Sequence, residues 1–339
     1  MTSPQTSRPR ALRAVLTLAL AAACIAYILV KIDLGETAHV ITRARPLPLA
    51  AATAVWLLAV WPLAWRWQLL LRARSVDAPL RWLVRTYFVS YAAGQLLPTS
   101  LGGDAARIYS GTRRHTGSAE AFVGSVLMER ILGGVATLLL AAVGLALAVG
   151  SFDVGPYLWI EAALVAGTAA AAVVLFSRRM RGPLRRLLPL VRAIRAERVA
   201  RTLYEGLHAY RRHGRLLAGM TALTVVVQAV RILGIWLIGR SVGVHLSPRP
   251  YYVMGPLLFL VMLVPFTVSG LAVREAFFVN FLGQLGVGAN PAFATGFLFF
   301  LLSVVLSLPG AVIVGVETLG RTGARRPEEY AVGGRTRRR

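Results

Sequence analysis

Cysteine is nearly missing from this chain: Cys24 is the only one in 339 residues, so no internal disulfide framework exists. Acidic residues are scarce as well, 14 against 38 lysines and arginines, which leaves a formal charge of +24. Catalytic signatures are thin. His39, His115, His208, His213 and His245 fall in predicted loops without metal-ligand spacing, and no phosphate-binding loop, G-x-S-x-G elbow or cysteine pair is present. No cofactor or metal is expected from such a set, and no ATPase. Charged residues make up only 15% of the chain against 56% hydrophobic residues. A soluble domain of this length would carry more charge, so the composition describes a polytopic membrane protein.

The basic excess is explained by topology and not by nucleic acid, because the arginines fall between apolar runs too long for soluble helices. At about 20 residues per crossing, six spans are predicted near 12–30, 47–65, 119–148, 157–176, 216–239 and 292–317. Of the 38 basic residues, 30 then fall on one side, including Arg66 and Arg107. Lys31, Arg43, Arg45, Arg240 and Arg249 fall on the other, and Arg130, Arg231 and Arg274 within apolar segments. The positive-inside rule makes the rich side cytoplasmic, with both termini there and the chain multi-pass in the cell (plasma) membrane.

Two further segments, 82–112 and 251–286, contain a motif that occurs twice. Pro98-Thr-Ser-Leu-Gly-Gly-Asp-Ala-Ala-Arg107 and Pro265-Phe-Thr-Val-Ser-Gly-Leu-Ala-Val-Arg274 align without gaps, 167 residues apart. Proline removes an amide donor and glycine relaxes the backbone, so Pro98, Gly102, Gly103, Pro265, Ser269 and Gly270 are helix-break candidates. Broken backbone at membrane depth survives only within protein or beside a water-filled cavity. The expected architecture is all-α: six crossing helices plus two re-entrant broken-helix hairpins entering from opposite sides as an inverted repeat. The halves would span 11–150 and 155–320 of one transmembrane domain (11–320). A short N-terminal tail (1–10), a basic connector (177–215) and a basic tail (321–339) complete it. The connector reads either as amphipathic helix on anionic inner-leaflet headgroups or as a solvated link.

Charged side chains at membrane depth cost roughly 2.5–3.5 kcal/mol each on insertion scales and tend to be functional. The substrate-binding candidates are Arg107 and Arg274, expected to contact phosphate in one central site, with Asp104, Glu129, Arg130, Gln95, Arg231 and Glu275 around them. Asp104 is also placed to cap the helix after the first break. Glu129 and Arg130, about 15 Å into the third span, read equally as a structural pair bracing the hairpin. Arg231 either joins the site or snorkels outward. Glu161 is expected to reach headgroups, and Trp56, Trp61, Trp65, Trp67 and Trp82 to anchor at the interface.

Gln95-Leu-Leu-Pro98, Gly102-Gly103-Asp104-x-x-Arg107, Glu129-Arg130 and Ser269-Gly270-x-x-x-Arg274-Glu275 resemble the lysylphosphatidylglycerol synthase transmembrane-region family over about residues 10–320. The resemblance implies a flippase-like domain that handles phospholipids or polyprenyl-phosphate-linked lipids. The soluble aminoacyl-transferase domain of bifunctional members has no counterpart in these residues, so lipid synthesis is not expected. Two other readings stay open: a secondary transporter of a small solute or ion, and a polyprenyl-phosphate-dependent glycosyltransferase using Asp33 and Glu36.

Overall fold

The computed structural model describes residues 27, 30–96, 102–176, 210, 213–263 and 272–323. Pro98, Pro265, Ser269 and Gly270 lie outside the described residues, as do nearly all of the first predicted span, most of the connector and most of both tails. Within the described residues every regular element is helical. They are α1 (Leu34–Thr42), α2 (Pro46–Leu58), α3 (Val60–Arg72), α4 (Leu80–Leu96), α5 (Gly102–Arg114) and α6 (Ala119–Ala148). Then follow α7 (Pro156–Phe176), α8 (Gly214–Ser241), α9 (Arg249–Leu263), α10 (Val273–Gln284) and α11 (Ala289–Gly323).

Four of these helices are long and apolar enough to cross a membrane: α2 with α3 (Pro46–Arg72), α6, α8 and the Ala289–Glu317 part of α11. They match the second, third, fifth and sixth predicted spans, because length and hydropathy alone identify a helix that must satisfy its own amides in lipid. Helices α2 and α3 run together through Ala59, which keeps right-handed helical angles, and Pro46 starts the pair where its missing N–H costs nothing. The fourth predicted span is the 21-residue α7.

The first repeat runs from the residues after α4 into α5, and these two helices pack on each other. The pairing is antiparallel: the Arg107 guanidinium lies over Tyr87, and Gly103 meets Ser90 one turn further along α4. A Cβ on Gly103 would sit 2.7 Å from the Ser90 carbonyl oxygen, so only glycine permits this approach. The second repeat lies between α9 and α10, and α10 packs against α11 as well as α9. Ala272, within that motif, has a φ of +68°, left-handed for a residue with a side chain. Glu275 holds that turn by accepting from the Ala272 amide at 2.8 Å.

The apolar core has two main parts. One lies among α6, α8, α9, α10 and α11, with Tyr251, Met254, Phe278 and Phe281 fully buried. The other lies among α3, α4 and the start of α6, around Trp67, Leu71, Leu83 and Phe122. Helix α4 ties the two together by packing along α11. At one end Gln95 donates to Ser303 at 2.9 Å, and at the other Arg85 pairs with Glu317.

Candidate functional site: a buried arginine–carboxylate network

Five helices meet in the second part of the core, and three of them, α3, α5 and α6, bring charge there. Arg66 comes from α3, Tyr87 from α4, Asp104 and Arg107 from α5, Glu129 and Arg130 from α6, and Thr224 from α8. Arg66, Arg107 and Glu129 are all buried. Glu129 Oε1 accepts from Arg66 Nη2 at 2.9 Å, from Arg66 Nε at 3.3 Å and from the Tyr87 hydroxyl at 2.6 Å. Its other oxygen accepts from Arg107 Nη1. Asp104 then accepts from Arg107 Nη2 at 2.7 Å and from Arg130 Nε. Arg66 also donates from Nη1 to the Thr224 hydroxyl at 2.7 Å.

The chain runs Arg66–Glu129–Arg107–Asp104–Arg130, alternating in sign. That alternation lets charges stay in an apolar bundle, because an unpaired ion there would cost several kcal/mol. Aromatic faces complete the enclosure. The Arg107 guanidinium lies 4.5 Å from the Tyr87 ring centre and 5.0 Å from that of Trp67, whose indole donates to Ser125 at 2.9 Å.

The structure thus brings Asp104, Arg107, Glu129 and Arg130 together, and it adds Arg66, Tyr87, Trp67 and Thr224. From its place in Trp65-Arg66-Trp67 at the end of an apolar run, Arg66 is expected with the cytoplasmic flank. It is instead buried and bonded to the third span, so it and Arg107 are network residues. Asp104 does not cap α5. It is the third residue of that helix, and two guanidinium groups take its oxygens in place of backbone amides. Glu129 and Arg130 brace the hairpin, but each through a different residue of α5.

Arg231, on α8, stacks on Trp56 at 3.8 Å from the ring centre. The Trp56 indole in turn donates to the Arg231 carbonyl oxygen at 3.2 Å. Trp56 and Trp67 therefore serve arginines, whereas Trp61 and Trp65 are exposed, at 49% and 45%, as interfacial anchors would be.

Arg274 and Glu275 form a second, separate pair. Both are buried, they are bonded to each other, and the Arg274 guanidinium faces Phe300 at 5.1 Å and Phe299 at 5.8 Å. Among the described residues Arg274 and Arg107 have different bonding and aromatic partners. Glu275 neutralises Arg274 from the adjacent position, beside two aromatic rings of α11.

Glu161 departs furthest from expectation. It is 0% exposed, and neither carboxyl oxygen has a hydrogen-bond partner. It lies on α7, which packs on α6 and α9. An unsatisfied buried polar group costs about 1–3 kcal/mol. Glu161→Leu is accordingly expected to raise the thermal unfolding midpoint of the detergent-solubilised protein, followed by tryptophan fluorescence. A lowered midpoint would mean that Glu161 has a partner in the native membrane.

Among the described residues no three histidine, cysteine or acidic side chains cluster to hold a metal. His115 instead packs between Trp82 and Phe122. No curated protein matches this chain. The model of the lysylphosphatidylglycerol synthase transmembrane region matches residues 14–310, which include every residue of the network, and the chain belongs to that family.

Proposed function

We propose that this protein is a lipid translocase, a transporter and not an enzyme, which moves an anionic phospholipid or a polyprenyl-phosphate-linked lipid between leaflets. The observation that carries this reading is the buried network at the first hairpin, where arginines outnumber carboxylates at membrane depth. Guanidinium groups held by carboxylates and aromatic faces are pre-set for phosphate oxygens, because their planar forks match that geometry and little rotamer freedom remains to be lost. Inverted re-entrant hairpins would supply alternating access, with the headgroup crossing through protein while its tails stay in lipid. In this reading Arg107 and Arg130 contact the phosphate, Glu129 and Arg66 hold Arg107 in place, and the Arg274–Glu275 pair braces the second hairpin.

The test is movement of a tail-labelled anionic lipid in vesicles reconstituted with the full chain. Arg107→Lys keeps the charge but removes the fork, and it is expected to slow transport at least about tenfold, equivalent to ~1.4 kcal/mol. Transport at the unsubstituted rate with correctly folded Arg107→Lys protein would reject the assignment.

A further inference from the structure

We infer that the chain carries a second binding site, which holds the phosphate of an anionic lipid headgroup where two spans leave the bilayer. The site is a cavity of about 220 Å³, lined by His39, Arg43 and Arg45 from the α1–α2 stretch and by Ser241 and Gly243 from the end of α8. It shares no residue with the arginine–carboxylate network and does not rest on the translocase reading. Its depth follows from the helices that frame it. Helix α2 opens one span at Pro46, and α8 closes another at Ser241. The Arg45 amide donates to the Ser241 carbonyl oxygen at 2.8 Å, which ties the two span ends together. A cavity at that junction lies at headgroup level, where basic pockets between transmembrane helices take anionic headgroups.

Two guanidinium groups and an imidazole meet there, and no acid lines the cavity among the described residues. Neither Arg43 nor Arg45 has a side-chain hydrogen bond or ion pair among those residues. The acids of this stretch are engaged elsewhere. Asp33 caps α1 by accepting from the Glu36 amide at 2.9 Å, and Glu36 accepts from Asn290 of α11. Helix electrostatics accounts for part of the basic set only. His39 in the last turn of α1, and Arg43 just after it, meet the negative end of that helix. Arg45 is placed the other way. It precedes the first residue of α2, where a positive charge opposes the helix dipole, and its side chain makes no capping bond. On the predicted topology this is also the basic-poor side, where arginines are not needed to orient the chain. A bound anion resolves the conflict at Arg45 and neutralises Arg43 with it.

Recognition falls to the side chains and not to the helix end, because α2 begins Pro46-Leu47-Pro48 and of these only Leu47 has an amide to offer. Guanidinium forks match phosphate oxygens in geometry and charge. The cavity is smaller than the roughly 300–1,000 Å³ of pockets that enclose drug-sized ligands, so a headgroup enters and its tails stay outside. Leu47, two residues beyond Arg45 and 80% exposed, sets apolar surface beside the cations. That juxtaposition fits an amphiphile, whose tails run down the span, rather than a free phosphate.

The test titrates the full-length protein in detergent with phosphatidylglycerol and reads the lipids retained by native mass spectrometry, with phosphatidylcholine as the lipid of no net charge. The double variant Arg43→Gln/Arg45→Gln is expected to bind one phosphatidylglycerol at least about tenfold more weakly than the wild type, the loss of a charge-assisted contact. Arg43→Lys/Arg45→Lys, which keeps the charge without the forks, should fall between the two. Arg249→Gln removes an exposed arginine of the same side that does not line the cavity, and it should change nothing. In an Arg107→Lys background the double variant should lose the same lipid, which separates this site from the network. Unfolding midpoints of the lipid-free variants should match the wild type, because neither arginine side chain has a polar partner to lose.

Unchanged phosphatidylglycerol binding by the double glutamine variant overturns the inference. So does an equal loss in Arg249→Gln, which would reduce the effect to general surface charge, or equally tight binding of phosphatidylcholine. Inorganic phosphate and glycerol 3-phosphate serve as tail-free competitors. Displacement of the lipid by either at matched concentration would make a soluble phosphate the occupant and sink the lipid assignment.

Discussion

Glu129→Ala is expected to destabilise the folded protein by about 3–5 kcal/mol, the range for removing one member of a buried ion network. Its carboxylate is the sole acidic partner of Arg66 among the described residues and one of two for Arg107, and both arginines are 6% exposed. Without it the Tyr87 hydroxyl also loses its acceptor. Neither guanidinium can reach solvent without pulling α3 or α5 from the bundle. Glu129→Gln keeps the shape and one acceptor oxygen while losing the charge, and its effect should fall between the wild type and alanine. Asp77→Ala is the comparison. Asp77 pairs with Arg72 at 3.0 Å, but side-chain exposures of 51% and 81% leave that bond to solvent. Its loss should change stability by no more than about 1 kcal/mol. Thermal unfolding in detergent or nanodiscs distinguishes these outcomes. A Glu129→Ala midpoint equal to that of Asp77→Ala would show that the network contributes nothing to the fold.

Much of this was legible beforehand, for reasons that differ by residue. The spans at 46–72, 119–148, 214–241 and 289–317 follow from hydropathy, since lipid leaves the backbone no other partner than itself. Asp104, Arg107, Glu129 and Arg130 stand out because charge inside apolar sequence demands a partner. Arg66 did not stand out. It sits between two tryptophans at the end of an apolar run, where an arginine ordinarily marks the headgroup boundary, and its role appears only once α3 is docked on α6. Glu161 was misplaced for the same reason, since depth along a helix says nothing about which face turns inward.

The repeat pointed to two breaks whose prolines lie outside the described residues, and Ala272, within the second copy, has a left-handed φ. The repeat did not give the partners. The first copy has Asp104 three residues before its arginine and the second has Glu275 one residue after. That small difference separates a network spanning several helices from a local pair. Sequence similarity between copies therefore overstated the likeness of their chemistry.

The second large effect concerns the interface that holds the first hairpin in place. A Cβ added to Gly310 would lie 1.9 Å from the Phe88 carbonyl oxygen and 2.4 Å from its carbon. Both are backbone atoms of α4, so no rotamer change relieves the clash. The helices themselves must part by more than an ångström. Pro309, the preceding residue of α11, has no amide to donate and crowds the carbonyl one turn back, which fixes the local shape on that side too. Displacing α4 carries Tyr87 away from Glu129, Ser90 away from Gly103, and Gln95 away from Ser303.

Gly310→Ala is expected to cost about 1–3 kcal/mol, and Gly310→Leu to prevent recovery of folded protein. Gly219→Ala provides the contrast. A Cβ there, on α8, meets nothing within 4 Å, and alanine in a helix interior gains about 0.5–1 kcal/mol over glycine. Unfolding midpoints for the two alanine variants should therefore move in opposite directions. Gly310→Ala should also slow lipid movement more than its stability loss explains, since α4 forms one wall of the network as well as one arm of the hairpin. A Gly310→Ala protein with wild-type midpoint and wild-type transport would mean that α4 and α11 do not meet at this position in the membrane.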